Sequence, residues 1–276
     1  MKTKHIIIAS VVTLLFLSCA TNPFTGKQTM ALVSNDQLFP AAFQQYNQVL
    51  SESKVIKGTA QSEMITRVGQ RIAIAAERYL NANGYEGYLK DYKWEYNLIE
   101  SETVNAWCMP GGKIAFYTGI LPVAENETGI AAIMGHEVAH ALANHGQQRM
   151  SAGLLQQAGA IGLNVALQSD ENIELYNQAY GIGTTVGGML PFSRSHETEA
   201  DKIGVYLMAI AGYNPEEAAE LWKRMDAMSN GQAPPEILST HPANESRIQN
   251  LTTLAPQAKA EARKFGVNSF RPLGKY

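Results

Sequence analysis

His136 and His140 stand four residues apart with Glu137 directly after the first, an HExxH pattern. On an α-helix, residues i and i+4 lie one turn apart on the same face, so the two imidazoles can reach one metal ion, and zinc is the ion such a pair suits. Glu137 then sits about 100° round the helix from His136. There it is placed as a general base for water at the metal, not as a third ligand. The bland alternative is a pair of helix-surface histidines with no metal.

The pattern carries this meaning only on a helix. Ile130, Ile133, Met134, Val138, Ala141 and Leu142 recur at helical spacing behind Asn126 as a cap, which predicts a helix from about Glu127 to Asn144. Two ligands do not complete a catalytic site. The extended pattern HExxHxxGxxH needs Gly at position 143 and His at position 146, whereas the chain has Ala143 and Gly146. His145 is one residue out of place and reads as a helix-end histidine near the negative end of the dipole. A glutamate on a later helix is the other solution, and the segment from Ser193 to Asp201, helical in pattern as far as Gly212, supplies it. Glu197 and Asp201 fall on one face. Glu197 is the candidate third ligand, and Asp201 is placed to accept the outer N–H of a ligand imidazole. Glu199 points elsewhere and is the weaker candidate.

Several elements must position these residues. Ser34 or Asn35 can cap a helix to about Leu50, and a second, from about Gln61 to Ala82, carries Met64, Val68, Ile72, Ala75 and Ala76 on one side and stops at Asn83-Gly84. From Tyr92 the period changes: Trp94, Tyr96 and Leu98 alternate with Lys93, Glu95 and Asn97, the pattern of a half-buried strand. Val104 to Met109 and Ile114 to Thr118 are two more strands, joined through Pro110-Gly111-Gly112. A small sheet therefore leads into the metal helix, the order in which zinc peptidases lay a substrate backbone along an edge strand.

The chain opens with Lys2 and Lys4 before the apolar run Ile6 to Leu17, too short for a stable span, so residues 1–18 read as a signal peptide. Phe16-Leu17-Ser18-Cys19 resembles the lipobox of bacterial lipoproteins, although Leu and a small residue are usual where Phe16 and Leu17 stand. Cys19 is then the acylated residue, which leaves Cys108 alone; a Cys19 to Cys108 disulfide is the competing pairing. Soluble secretion after a nearby cut is the alternative to the anchor. Residues 19–33 are polar and turn-rich and read as a tether, with the body at 34–276. The 22 basic side chains include the two lysines of the signal, against 25 acidic ones, so the processed chain is acidic. That balance is no footprint for nucleic acid.

In these residues the chain resembles the HExxH zinc endopeptidases that include the CAAX prenyl protease, HtpX and the mitochondrial Oma stress protease, and among them the single-domain periplasmic lipoproteins of the LoiP type. The resemblance covers nearly the whole processed chain. It rests on Asn22-Pro23 with Thr25-Gly26, on Asn105-Ala106-Trp107, on Pro110-Gly111-Gly112-Lys113, on Tyr117-Thr118-Gly119, on HExxH, on Glu197 to Asp201 and on His241-Pro242. Trp107 stands where Phe is more usual. The resemblance implies one zinc ion held by His136, His140 and Glu197, Glu137 as catalytic base, Asn105 and Ala106 on the substrate strand, and a small gluzincin fold, mostly helical α+β. It implies protein or peptide substrates in envelope quality control. The rival reading is a zinc-containing chaperone or assembly factor, against which the base Glu137 speaks.

Two regions stay open. Met150 to Ser169 and Leu175 to Ser193 carry no charged residue; their glutamines, asparagines and glycines favour amphipathic or irregular segments over the active site, with a membrane hairpin as the alternative. His241 follows a proline-containing loop from Gln232 to Thr240, ahead of a helix starting near Asn244. It is a surface histidine, a latency ligand that displaces water from the metal, or a donor to the oxyanion. Before it, Gly212 stops the ligand helix and Asn214-Pro215-Glu216-Glu217 starts another, with Leu221, Trp222 and Met225 on its buried side.

Overall fold

A computed structural model describes residues 19–170, 172–228, 235–242 and 245–272 of the chain. The segment expected as a signal peptide lies outside them. Residues 19–33 do not hang free of the body. Strand β1 (Cys19–Thr21) pairs antiparallel with β2 (Gln28–Met30), the Leu32 amide donates to Ser151 Oγ at 3.0 Å, and the Val33 carbonyl accepts from Gln147 at 2.7 Å. The turn residues that suggested a tether are those a tight hairpin also needs.

Ser34 then opens α1 (Asn35–Glu52) in a capping box with Gln37, and after β3 (Val55–Ile56) Thr59 caps α2 (Ala60–Ala82). Helix α2 buries the stripe that its spacing predicts. β4 (Glu95–Ile99), β5 (Ala106–Met109) and β6 (Lys113–Tyr117) join β3 in a mixed sheet of order β3-β4-β6-β5, in which β4 and β6 run parallel and the other pairs antiparallel. Gly111 and Gly112 turn the β5–β6 hairpin at φ +81° and +89°, and a Cβ on Gly112 would stand 2.7 Å from the Trp94 ring. Asn97 departs from the alternation and is buried, because α1 covers its face of the sheet and the Tyr46 hydroxyl accepts its amide at 2.9 Å. Tyr96 faces the opposite way and lies against α2 at Gly69.

After a 3-10 turn (Thr118–Ile120) and α3 (Leu121–Ala124), Asn126 caps α4 (Glu127–Leu142) by accepting from the Gly129 amide at 2.8 Å. Every residue from Thr128 to Leu142 is buried, so this helix is core on all sides. Helix α5 (His145–Ala166), α6 (Ile173–Thr184) and a π turn (Thr185–Met189) lead into α7 (Leu190–Ile210). Most of the uncharged region is thus helical. Only His145, Gln147, Gln148 and Ser151 of α5 are buried and no residue of α6 is, so the hairpin packs on itself and touches the body at its root. Among the described residues no helix is long and apolar enough to cross a membrane.

Gly212, at φ +88°, ends the α7 segment, and α8 (Glu217–Met228) buries Leu221, Trp222 and Met225. The stretch expected as loop up to Thr240 contains α9 (Glu236–Thr240), and α10 (Glu245–Lys264) follows. The most extensive packing joins α4 to α7, with α10 laid along α7. Two glycines permit it: a Cβ on Gly135 would lie 2.7 Å from the Gly204 carbonyl oxygen, and one on Gly204 would lie 2.8 Å from the Gly135 backbone. The helix carrying His136 and the helix carrying Glu197 therefore cross backbone to backbone. The fold is mostly helical α+β, as the sequence suggests.

Candidate metal centre

That crossing brings one ligand atom each of His136, His140, Glu197 and His241 within 4.8 Å of one another. His136 Nε2 lies 3.2 Å from His140 Nε2, 3.2 Å from His241 Nδ1 and 3.3 Å from Glu197 Oε2; His140 Nε2 lies 3.2 Å from Glu197 Oε1. Four donors at zinc bond lengths of about 2.0–2.1 Å in a tetrahedron stand about 3.3 Å apart. The donor set and its spacing both fit that ion. Imidazole nitrogens this close face one another with lone pairs unless a proton or a cation sits between them.

The electrostatics agree. Burial alone would raise the Glu197 carboxyl, yet hydrogen bonds from His136, His140 and His241 hold it far below the usual carboxylate range. Burial pushes His140 well down. Burial and the Arg247 cation also oppose a charge on His136, but Asp201 and Glu197 outweigh them and push it up to about 9.

Glu137, one residue along α4, is buried with Oε1 making no hydrogen bond and lying 3.6 Å from His241 Nε2. Asp201 stands as its spacing predicts, with Oδ1 3.0 Å from His136 Nδ1. Glu199 is outside the donor group. His241 is not a surface histidine: it follows α9, is about 12% exposed in its side chain, and enters the group through Nδ1, 2.8 Å from Glu197 Oε2.

Three participants were missed in the sequence. Arg247 on α10 donates through Nε and Nη2 to the two oxygens of Asp201 and stacks 3.5 Å from the centroid of the second, Trp222. Its Nη2 is 3.2 Å from both ring nitrogens of His136, a placement against the ring and not on one lone pair. An arginine beside Ile248 in an amphipathic helix gives no local sign that it points inward. The third is His145. Asn144, at φ +56°, breaks the helix, so His145 begins α5 instead of ending α4; it is wholly buried with Nδ1 2.8 Å from His140 Nδ1. An asparagine just after a helix is the available signal for that turn.

The sheet supplies the flank. Tyr117 donates to the Asn105 carbonyl, so the backbone groups of 105, 107 and 109 face β6 and those of Ala106 and Cys108 turn outward along the sheet edge. The Ala106 amide donates to a local partner, Asn105 Oδ1, at 2.9 Å. Cys108 beside it is a neutral thiol: burial pushes its pKa well up and the charge of Glu137 adds to this.

Comparison with known proteins gives the same reading from another direction. Mitochondrial metalloendopeptidase OMA1 of Schizosaccharomyces pombe is 37% identical over 63% of this chain and 50% of its own length. Human metalloendopeptidase OMA1 is 27% identical over 88% of this chain and 47% of its own. The β-barrel assembly-enhancing protease of Escherichia coli K12 is 28% identical over 66% of this chain and 39% of its own. The chain thus spans half or less of the length of these relatives. Residues 59–255, which hold all four donors and the base, match peptidase family M48, and the chain belongs to that family.

Proposed function

We propose that the chain is a zinc-dependent endopeptidase of the bacterial envelope, anchored through an acylated Cys19 at the periplasmic face of the outer membrane after removal of residues 1–18, and acting in protein quality control. The observation that carries the chemistry is the close group of three imidazoles and one carboxylate, their ligand atoms all within 4.8 Å of one another, with Glu137 beside it. His136, His140 and Glu197 would hold the zinc ion, which when bound would supply Lewis-acid polarisation of a peptide carbonyl and lower the pKa of water. Glu137 takes a proton from that water and returns it to the leaving amine. Asp201 keeps His136 in the tautomer that offers Nε2 to the metal. An extended substrate pairs with the outward backbone groups of β5, where Asn105 and Ala106 begin the strand.

His241 carries a second element of the reading. With Nδ1 in the donor group it takes the place that water needs, so this arrangement is a latent one. The segment that bears it is fastened to the substrate strand: Asn105 donates to Glu236 at 2.9 Å and the Ile237 amide to the Val104 carbonyl at 3.3 Å. A peptide entering along β5 competes with these contacts, which couples arrival of substrate to departure of His241.

The envelope assignment rests on the signal and lipobox pattern, and the name of the Escherichia coli relative makes β-barrel proteins the first substrates to test. Envelope proteomes from cells carrying wild-type or Glu137→Gln protein are the test. Full-length substrates should accumulate with the variant; identical envelope proteomes would sink the quality-control reading.

A further inference from the structure

Asn22-Pro23 and Thr25-Gly26 have no part in the reaction above, yet Asn22 is only 2% exposed. Its backbone closes a tight turn, with the Asn22 amide donating to the Lys27 carbonyl at 2.9 Å and the Gly26 amide to the Asn22 carbonyl at 2.8 Å. The Phe24 amide donates to its side-chain oxygen at 2.9 Å. The side-chain amide group is left to point inward, where it donates to Glu199 Oε2 at 3.0 Å.

That same oxygen lies 2.9 Å from His145 Nε2, and His145 Nδ1 lies 2.8 Å from His140 Nδ1. The polarity of this chain of contacts follows from its two ends. A carboxylate only accepts, so His145 carries its proton on Nε2 and its Nδ1 is an acceptor. His140 must then donate from Nδ1, which leaves Nε2 with the lone pair, the atom 3.2 Å from His136 Nε2 and from Glu197 Oε1. His196 stacks on the His145 ring at 4.0 Å and 11°, and His196 Nε2 donates to Gln148 Oε1 at 3.1 Å, which fixes the plane of the relay.

We propose that the Asn22 turn is the outer end of a positioning relay, Asn22 to Glu199 to His145 to His140, that sets the tautomer and aim of the second metal ligand. The two imidazoles of the HExxH pair are thus held differently. His136 meets its carboxylate directly, in Asp201, on the ligand helix; His140 meets one through a second histidine, and that carboxylate is fastened by the N-terminal hairpin. The β1–β2 hairpin is on this inference part of the metal centre and not only a spacer before it.

The inference rests on the assignment of His140 as a ligand, and the experiment separates the two. Zinc affinity of the purified protein is measured by competition with a chromophoric chelator, and the cobalt-substituted protein is followed by its d–d absorption. Asn22→Ala and Glu199→Gln should each weaken zinc by about tenfold or more, the usual effect of losing a partner behind a ligand, and should shift the cobalt spectrum. Combined, they should weaken it little more than Glu199→Gln alone, because one acts through the other. Glu199→Gln keeps side-chain size and so decides the matter if Asn22→Ala fails to fold. Wild-type affinity and spectrum in Glu199→Gln, in a protein whose His140→Ala variant loses zinc, would overturn the relay. Fully additive losses would remove Asn22 from it. Retention of zinc by His140→Ala would instead overturn the ligand assignment beneath it.

Discussion

Arg247 grips both carboxylate oxygens of Asp201, at 2.8 Å and 2.7 Å, in a pair of which each side chain is about 5% exposed. The carboxylate that orients His136 therefore has its charge matched by a cation from α10, a helix with no ligand of its own. Removing one partner of a buried pair leaves the other charge stranded, at a cost of about 3–5 kcal/mol. Arg247→Ala should lose about that much in urea unfolding, and adding Asp201→Asn should recover part of it. A single variant within about 1 kcal/mol of wild type would show that the pair is not supporting the fold.

The division between ligand and base is tested by two substitutions. Glu137→Gln should hold near-stoichiometric zinc by metal analysis while peptide cleavage falls by orders of magnitude, since the ligands survive and the proton carrier does not. Glu197→Ala should lose zinc together with activity. Full metal retention in Glu197→Ala would send the third ligand elsewhere on α7.

His241→Ala distinguishes the roles open to that residue. As a latency ligand, its loss should speed cleavage of a short peptide and weaken zinc binding. A histidine that served the oxyanion would instead leave zinc untouched and lower kcat by roughly 10² to 10³. Stopped-flow cleavage alongside chelator competition reads both quantities.

Gly204→Ala tests the helix crossing. On an isolated helix the change would be favourable by about 1 kcal/mol. Here the new methyl meets the Gly135 backbone 2.8 Å away, so the helices must part. The variant should be less stable by about 1–3 kcal/mol and bind zinc more weakly, because the shift separates His136 from Glu197. Stability equal to or above wild type would mean the crossing is more yielding than its geometry implies.

Anchoring is tested by Cys19→Ala, which should move the protein from the membrane pellet to the soluble periplasmic fraction. A variant that stays with membranes would place the attachment elsewhere, and the exposed α5–α6 hairpin, with Ile161, Val165 and Ile182 each more than half exposed, would be examined next.

The sequence by itself determined the local and periodic features of this protein. His136, Glu137 and His140 are related by one helical turn, as are Glu197 and Asp201, so their mutual placement follows once each segment is helical. The caps at Ser34, Thr59 and Asn126, the α2 stripe and the Gly111-Gly112 turn are likewise set by neighbours within a few residues. Tertiary structure decided whatever joins distant segments. Arg247 is polar by type and became the counter-charge of Asp201 only because α10 packs on α7; Asn97 left its alternating pattern because α1 covered it. His145 looked misplaced for a ligand, and it is one residue too far along for the same helical face, but the left-handed Asn144 returned it to His140 from the next helix. Asn22 had the residue types of a tether, and only the docked hairpin turned its amide onto Glu199. A backbone turn and a packed interface reassign what a side chain meets, and neither is encoded in the spacing of the residues that it brings together.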